Sequence, residues 1–231
     1  MAYLYDKDLE FLKNSTNNEL DAIVQIITSN GKITEQLSKK ENFRNHFPNH
    51  DKYIEDILEE IQSFGGNSVL NFIRKKGVLY KEILIDICKN KKIKINKDSR
   101  TRDIEKIFLL NMMQELIENM DLKERKELLD TAKINSVDLS LVEIMKDLEN
   151  TLNEKNVHLE IYLLQFINSV VLKKLQIETT IKLGAQHLIK SVVPFIHLKT
   201  IADITGPAYR VTIPTVLQIS MLRRIKEFNE F

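Results

Sequence analysis

The helix that decides the fold lies in residues 157–175, VHLEIYLLQFINSVVLKKL. Its apolar residues cover most of the circumference of a helix, which is typical of a helix that protein surrounds on all sides. Glu160, Lys173 and Lys174 interrupt the stretch, so it lacks the roughly 20 mostly apolar residues that a membrane span needs. We therefore expect this helix at the centre of the hydrophobic core.

The rest of the chain also carries apolar residues at spacings of three and four, which indicates helices almost everywhere. Asn30-Gly31 and Gly65-Gly66 are typical helix ends, and Asp121 with Glu124 predicts a capping box. Residues 91–97 are the exception because lysine and isoleucine alternate there with period two. A single strand would have nothing to pair with, so an extended linker is predicted. The predicted fold class is all-α, a compact bundle of about ten helices without a substantial sheet.

The length of 231 residues and the hydrophobic content of 43% allow a sizeable core. Glycine and proline are scarce, with 6 and 4 residues, which favours helices over turn-rich β folds. We expect a single helical domain over residues 1–231. A division into two lobes, residues 1–90 and 98–231 with a hinge near 91–98, is left open.

Charge is distributed unevenly although the net charge is only +1. Residues 71–102 hold 11 Lys/Arg against 3 Asp/Glu, whereas residues 103–160 hold 7 against 14. A basic block of this kind can face the phosphates of lipid or nucleic acid. Only Phe72 and Tyr80 accompany it, so the base stacking typical of nucleic-acid binding is not favoured. The simpler explanation is a solvated face, or pairing with the acidic neighbours.

The single cysteine and the acidic N-terminal stretch favour a cytoplasmic location. One cysteine cannot form an internal disulfide, and the first residues lack the basic start and apolar run of a signal peptide. Residues 181–198 carry lysines and no acidic residue among apolar ones. This composition suits an amphipathic segment on an anionic bilayer, and the simpler alternative is a core helix pair with solvated lysines. Membrane association is therefore left open.

Few residues suggest a chemical reaction. His46 and His50 are four apart, as metal ligands on one helix face would be, but Pro48 between them interrupts such a helix. Cys88 lies on an apolar helix face and is predicted to be a buried, inert thiol. The sequence contains no phosphate-binding glycine loop and no nucleophile elbow. We expect no enzyme activity, no metal and no cofactor, and a metal-dependent enzyme built on the two histidines is the least favoured alternative.

The C-terminal stretch 205–224, TGPAYRVTIPTVLQISMLRR, predicts a final helix. Gly206-Pro207 indicates a break, Thr212 a cap and Pro214 a first-turn proline. The helix is predicted to be amphipathic because apolar residues recur at spacings of four and then three positions. These are Ile213, Leu217, Met221, Ile225 and Phe228, with Gln218, Arg223, Arg224 and Lys226 on the remainder.

The cationic end of this helix suits the helix dipole, so Arg223 and Arg224 need no ligand. Tyr209 and Arg210 precede the predicted helix start and have no comparable explanation. We therefore join them with part of the basic block as candidate interaction residues. The set is Tyr209, Arg210, Arg74, Lys75, Lys76, Tyr80 and Lys81.

Four segments spread from end to end resemble the uncharacterised bacterial YaaW family. They are DKDLEFL (6–12), FGGNS (64–68), GVLYKEILID (77–86) and GPAYRVTIPTVLQ (206–218). Residues 51–120 in the middle also resemble the ubiquinol-cytochrome c chaperone domain, a helical module that assists the assembly of respiratory complexes in mitochondria. This second resemblance implies protein handling and is compatible with a place next to a membrane.

The favoured function is a non-enzymatic protein-interaction or assembly factor of chaperone-like character. The alternative is a peripheral membrane protein that binds anionic lipid through the basic block and residues 181–198. We expect a protein partner, leave an anionic membrane surface and a homo-oligomer open, and do not favour nucleic acid.

Overall fold

The computed structural model describes residues 3–29, 36–63, 77–154, 156–175 and 209–229, and within these ranges every regular element is a helix. The prediction of an all-α fold is confirmed. Short 3₁₀ turns lie at Glu10–Asn14, Leu37–Lys39 and His50–Tyr53. The α-helices of the described ranges are α1 (Asn17–Ser29), α2 (Glu41–His46), α3 (Ile54–Ser63), α4 (Tyr80–Asn90), α5 (Thr101–Glu118), α6 (Leu122–Ala132), α7 (Leu141–Asn153), α8 (Val157–Leu175) and α9 (Tyr209–Asn229).

Helices α8 and α9 form the centre of the molecule. They run antiparallel, since Glu160 near the start of α8 contacts Arg224 near the end of α9, and Asn168 contacts Gln218 midway. Both helices are buried along most of their length. The predicted central position of residues 157–175 is therefore confirmed, and α9 shares that position.

The other helices surround this pair. Helix α1 packs on α9, while α5 contacts α4, α7 and α8. One hydrophobic cluster extends from Leu9 to Ile225 and takes residues from both predicted lobes. The division into lobes with a hinge stays a prediction.

The predicted extended linker is closely attached to the core. Ile93 and Ile95 are half-buried against the hydrophobic cluster, and the backbone N–H of Ile93 donates to the Cys88 carbonyl at 2.8 Å. The Lys91 Nζ lies 2.8 Å from Glu115 Oε1, and the Lys91 side chain is only 7% exposed. The alternation of lysine and isoleucine thus gives one packed face and one solvent face.

The start of α9 differs from the prediction. The helix begins at Tyr209, so Pro214 lies inside it and Thr212, predicted as the cap, is an interior residue that is 4% exposed. Proline has no N–H to donate to the Arg210 carbonyl four residues earlier. The amphipathic interpretation was wrong as well, because Gln218 is fully buried. Apolar periodicity could not show that the polar side chains of α9 are buried, because they are buried against polar partners on other helices.

Two helix starts show how local sequence sets the boundaries. The predicted capping box of Asp121 and Glu124 is present at α6. At α1 the cap is Thr16, although the sequence also offers Asn17 and Asn18 as cap residues. Thr16 Oγ1 accepts from the Glu19 N–H at 3.3 Å, and Glu19 Oε2 accepts from the Thr16 N–H at 2.7 Å. This reciprocal pair is also a capping box.

Candidate functional site

The core contains charged side chains that are almost completely enclosed. Glu105, Glu160 and Arg224 are each 1% exposed. Arg224 donates through Nη1 to Glu105 Oε2 at 2.8 Å and through Nε to Glu160 Oε2. Burial alone would lower the pKa of Arg224, but the charges of the two glutamates outweigh it and leave the pKa above its ordinary value. Arg224 therefore stays a cation and links α5, α8 and α9.

Further charges complete this group, which we call the Arg-Glu cluster. Arg102 donates to Glu160 Oε2 at 3.2 Å and to Glu227 Oε2 at 2.9 Å, and Arg223 lies 3.2 Å from Glu105 Oε1. Three guanidinium groups thus face three carboxylates, so the formal charges cancel. A balanced, hydrogen-bonded cluster is typical of a structural network, because an unpaired buried charge would be very costly. The members are Arg102, Glu105, Glu160, Arg223, Arg224 and Glu227.

Tyr80 joins the Arg-Glu cluster from α4. It is fully buried, and its hydroxyl donates to Glu105 Oε1 at 2.8 Å. Burial and then the charge of Glu105 raise the pKa of Tyr80 well above its ordinary value, so the phenol keeps its proton. The Arg223 guanidinium lies over the rings of Phe11 and Tyr80, at 4.8 Å and 5.6 Å from their centroids. This predicted interaction residue therefore has its contacts inside the protein.

The N-terminal segment closes the cluster from another side. Asp6 Oδ2 accepts from the Tyr80 N–H at 2.6 Å, and Asp8 Oδ2 accepts from the Thr101 hydroxyl at 2.6 Å. Tyr80 begins α4 and Thr101 begins α5, and neither helix has a side-chain cap from its own preceding residue. The Asp8 carbonyl also accepts from Arg223 Nη2 at 2.8 Å. Two aspartates distant in sequence thus support two helix starts, where a negative charge is favourable.

Among the remaining candidate interaction residues, the structure describes the side chains of Lys81 and Arg210. Lys81 is half-buried on α4 and Arg210 is exposed in the first turn of α9. Tyr80 meets α9 at Ser220, ten residues beyond Arg210, which is about 15 Å along a helix axis. Arg74, Lys75 and Lys76 lie outside the described residues, as does the side chain of Tyr209.

The described part of the basic block presents a row of exposed lysines. Lys92 and Lys94 point outward between the inward-facing Ile93 and Ile95. Within the described ranges no acidic side chain pairs with any lysine of this row. We call Lys89, Lys92, Lys94 and Lys97 the lysine strip.

Three hydrophobic side chains are exposed on α6, on α7 and on the loop between these helices. Leu122, Val137 and Val142 are 66%, 92% and 73% exposed. Arg125 holds this region together, because it donates to the Ile117 carbonyl at 3.1 Å and to the Leu139 carbonyl at 2.9 Å. We call the three exposed side chains the apolar corner.

The histidine pair and the cysteine are placed as follows. His46 is exposed at the end of α2, whereas His50 is buried with both ring nitrogens in hydrogen bonds. The described ranges contain no group of three His, Cys, Asp or Glu side chains that could hold a metal ion. Cys88 is fully buried, and burial raises the pKa of its thiol to about 12. The prediction of a buried thiol is confirmed.

No helix within the described ranges combines the length and the apolar character that crossing a bilayer requires. Residues 181–198, predicted as an amphipathic membrane segment, lie outside those ranges.

Comparison with known proteins places the chain in a family. Residues 3–32 match the family model described as a domain of unknown function, DUF3944. A UPF0174 protein of Helicobacter pylori strain J99 is 32% identical over 244 residues, which cover 100% of this chain and 96% of the relative. The UPF0174 protein YaaW of Escherichia coli K12 is 31% identical over 236 residues, 96% of each chain. The chain belongs to the UPF0174 (YaaW) family. No solved structure matches it.

The predicted membership of the YaaW family is thus confirmed over nearly the full length. The DUF3944 match includes Asp6 and Asp8, whose carboxylates support α4 and α5. In this UPF0174 chain the two aspartates of the segment DKDLEFL (6–12) therefore have a structural role at the starts of α4 and α5.

Sequence reasoning missed the Arg-Glu cluster. It assigned Arg224 to the helix dipole and treated Glu160 only as an interruption of an apolar stretch. The available signal was that a single acid in an otherwise apolar helix needs a buried cation. Arg224, in the predicted final helix, is the partner that the fold supplies.

Proposed function

We propose that this UPF0174 protein is a non-enzymatic, cytoplasmic protein-interaction factor that assists the assembly of other proteins. The observation that carries the proposal is the apolar corner, whose three highly exposed side chains lie on consecutive helices and on their loop, which Arg125 ties to the end of α5. Exposed apolar side chains that form one patch mark an interaction site. The resemblance of residues 51–120 to a chaperone domain of respiratory-complex assembly supports the same class of function. The balanced Arg-Glu cluster stabilises the scaffold that presents this corner.

The surroundings of the apolar corner specify the kind of partner. Residues 121–154 hold nine Asp/Glu against five Lys/Arg. An apolar centre with a polar rim is the ordinary anatomy of a protein interface. A partner with an apolar surface edged by lysine or arginine would match this corner in shape and charge.

The test is quantitative capture from a gentle lysate, followed by binding with the purified partner. The triple variant Leu122→Ser/Val137→Ser/Val142→Ser should bind the partner at least tenfold more weakly than the unaltered chain. The matched control is Leu4→Ser/Tyr5→Ser, which removes other exposed apolar side chains that are 47% and 69% exposed. Equal binding by both variants, or no partner under any growth condition, would overturn the proposal.

The lysine strip favours a second candidate function, binding to an anionic membrane surface. A basic residue close to such a surface contributes about 1 kcal/mol. We expect flotation with phosphatidylserine vesicles at low salt, and little flotation with neutral vesicles or at high salt.

Charge-matched variants distinguish binding through the lysine strip from general electrostatic attraction to the vesicle. Lys89→Gln/Lys94→Gln/Lys97→Gln should weaken vesicle binding on the order of 100-fold, whereas three substitutions near the apolar corner should change it little. The controls are Lys123→Gln, Lys126→Gln and Lys146→Gln. A similar loss for both triple variants would remove the lysine strip as the membrane site.

A further inference from the structure

A polar cleft of about 330 Å³ lies between the start of α1 and the turn that precedes α3. It is separate from the Arg-Glu cluster and from the surfaces proposed above. Its volume falls in the range of small-molecule sites. The groups that line it include the amides of Asn17, Asn18, Gln25 and Asn49, together with Asp21 and His50.

His50 forms the rigid back of the cleft. It is 1% exposed, and its Nδ1 lies 2.5 Å from the Tyr53 hydroxyl while its Nε2 lies 3.2 Å from Asp21 Oδ1. A carboxylate oxygen only accepts, so Nε2 is the donor in the contact with Asp21. Burial and the charge of Asp21 raise the pKa of Tyr53, so its hydroxyl stays protonated beside Nδ1.

Asp21 is held in place by two side chains. Its Oδ1 faces His50 Nε2, and its Oδ2 accepts from Gln25 Nε2 at 2.6 Å. No lysine or arginine of the described residues pairs with this carboxylate or lines the cleft. The Asp21 side chain is 30% exposed. The cleft therefore presents one oriented negative charge to solvent.

The amides beside Asp21 offer donors and acceptors together. Asn17 Oδ1 accepts from the Asp51 N–H at 3.1 Å, which leaves the Asn17 NH₂ directed to other partners. The side chains of Asn18 and Asn49 make no hydrogen bond within the described part of the chain. Carboxamides of this kind match hydroxyl groups, which also donate and accept.

We propose that this cleft binds a small hydroxylated primary amine of about the size of one sugar ring. Its ammonium group pairs with Asp21, and its hydroxyl groups bind the asparagine side chains. An ammonium beside a fixed carboxylate makes a charge-assisted hydrogen bond, which is roughly twice as strong as a neutral one.

Glucosamine is the probe, and glucose and N-acetylglucosamine are its controls because they share the ring but lack the ammonium group. In NMR titrations of the full ¹⁵N-labelled chain, glucosamine should shift the signals of Asn17, Asn18 and Asn49. It should bind at least tenfold more tightly than either control. Equal binding of all three sugars, or no binding of glucosamine, would overturn the proposal.

A pair of variants tests whether Asp21 supplies the negative charge that binds the ammonium group. Asp21→Asn should reduce glucosamine binding at least tenfold, whereas Asp51→Asn, an equal loss of charge one residue from His50, should not. Unchanged binding by a folded Asp21→Asn protein would overturn the assignment. The comparison of the three sugars uses the unaltered chain, so it decides the question even if that variant fails to fold.

Discussion

Arg224 is a full positive charge in a place where water is almost completely excluded. Its guanidinium group holds Glu105 and Glu160 on two other helices, and all three side chains are 1% exposed. Removing one partner from such a group leaves the others buried without compensation, and this penalty exceeds the net value of the intact pair. The energetic importance of Arg224 therefore lies in the two carboxylates that it neutralises.

Arg224→Met should lower the free energy of unfolding by about 3–5 kcal/mol, because three carboxylates would then face only two guanidinium groups and Glu105 and Glu160 would lose their most buried partner. The triple variant Arg224→Met/Glu105→Gln/Glu160→Gln should recover part of that loss, since the carboxylate charges are removed as well. Urea unfolding followed by circular dichroism measures both.

Arg100→Met is the control for this series. Arg100 pairs with Asp103, but its side chain is 82% exposed, so unfolding should be nearly unchanged. If Arg224→Met were as stable as the control, the Arg-Glu cluster would not be a determinant of stability.

At the scale of elements, α4 and α5 depend on a segment that is remote in sequence. Asp6 accepts from the Tyr80 backbone N–H at the start of α4, and Asp8 accepts from the Thr101 hydroxyl at the start of α5; the residue directly before each helix makes no side-chain cap. A side-chain acceptor for a backbone N–H at a helix start, such as Asp6, contributes about 0.5–2 kcal/mol. The N-terminal segment thus stabilises two helices that it does not belong to.

Asp6→Ala should speed hydrogen exchange in the first turn of α4, and Asp8→Ala should do so in the first turn of α5. Asp6→Ala removes the acceptor of the Tyr80 N–H, and Asp8→Ala removes the hydroxyl contact that anchors Thr101, the first residue of α5. Asp98→Ala is the control, because Asp98 is exposed and lies just before α5. Equal exchange in all three variants would show that the distant aspartates do not support these helices.

Local sequence predicted those elements whose boundaries depend on near neighbours. Residues 157–175 and the capping box at Asp121 were found as expected because apolar spacing and short-range caps are local properties. The start of α9 was missed because Thr212 and Pro214 resemble helix-start residues but are interior ones. Of the Arg-Glu cluster, only Glu160 had a local signal, as the single acid of an apolar helix; its partners are brought to it by tertiary packing.

At the scale of the molecule, the two predicted lobes share a core. Leu20 and Leu84 from residues 1–90 and Phe108 and Leu163 from residues 98–231 belong to one hydrophobic cluster. The Asp8 carbonyl is also bonded to Arg223 across this division. Cooperative unfolding is expected where a continuous core is lost at once.

Urea unfolding should therefore give a single transition at the same midpoint by circular dichroism and by tyrosine fluorescence. Two separated transitions would instead favour lobes that unfold independently, with residues 91–98 as the hinge. Differential calorimetry provides the check, because the calorimetric and van't Hoff enthalpies agree only for one cooperative unit.

The contact between Asp8 and Arg223 joins residues that are 215 positions apart. A ribosome adding roughly 5–20 residues per second needs tens of seconds to make the chain between them. During that interval Glu105 and Glu160 have already been synthesised, but Arg224 has not. The nascent chain must therefore keep these two acids hydrated until α9 emerges, so the core can close only after Arg224 has left the ribosome.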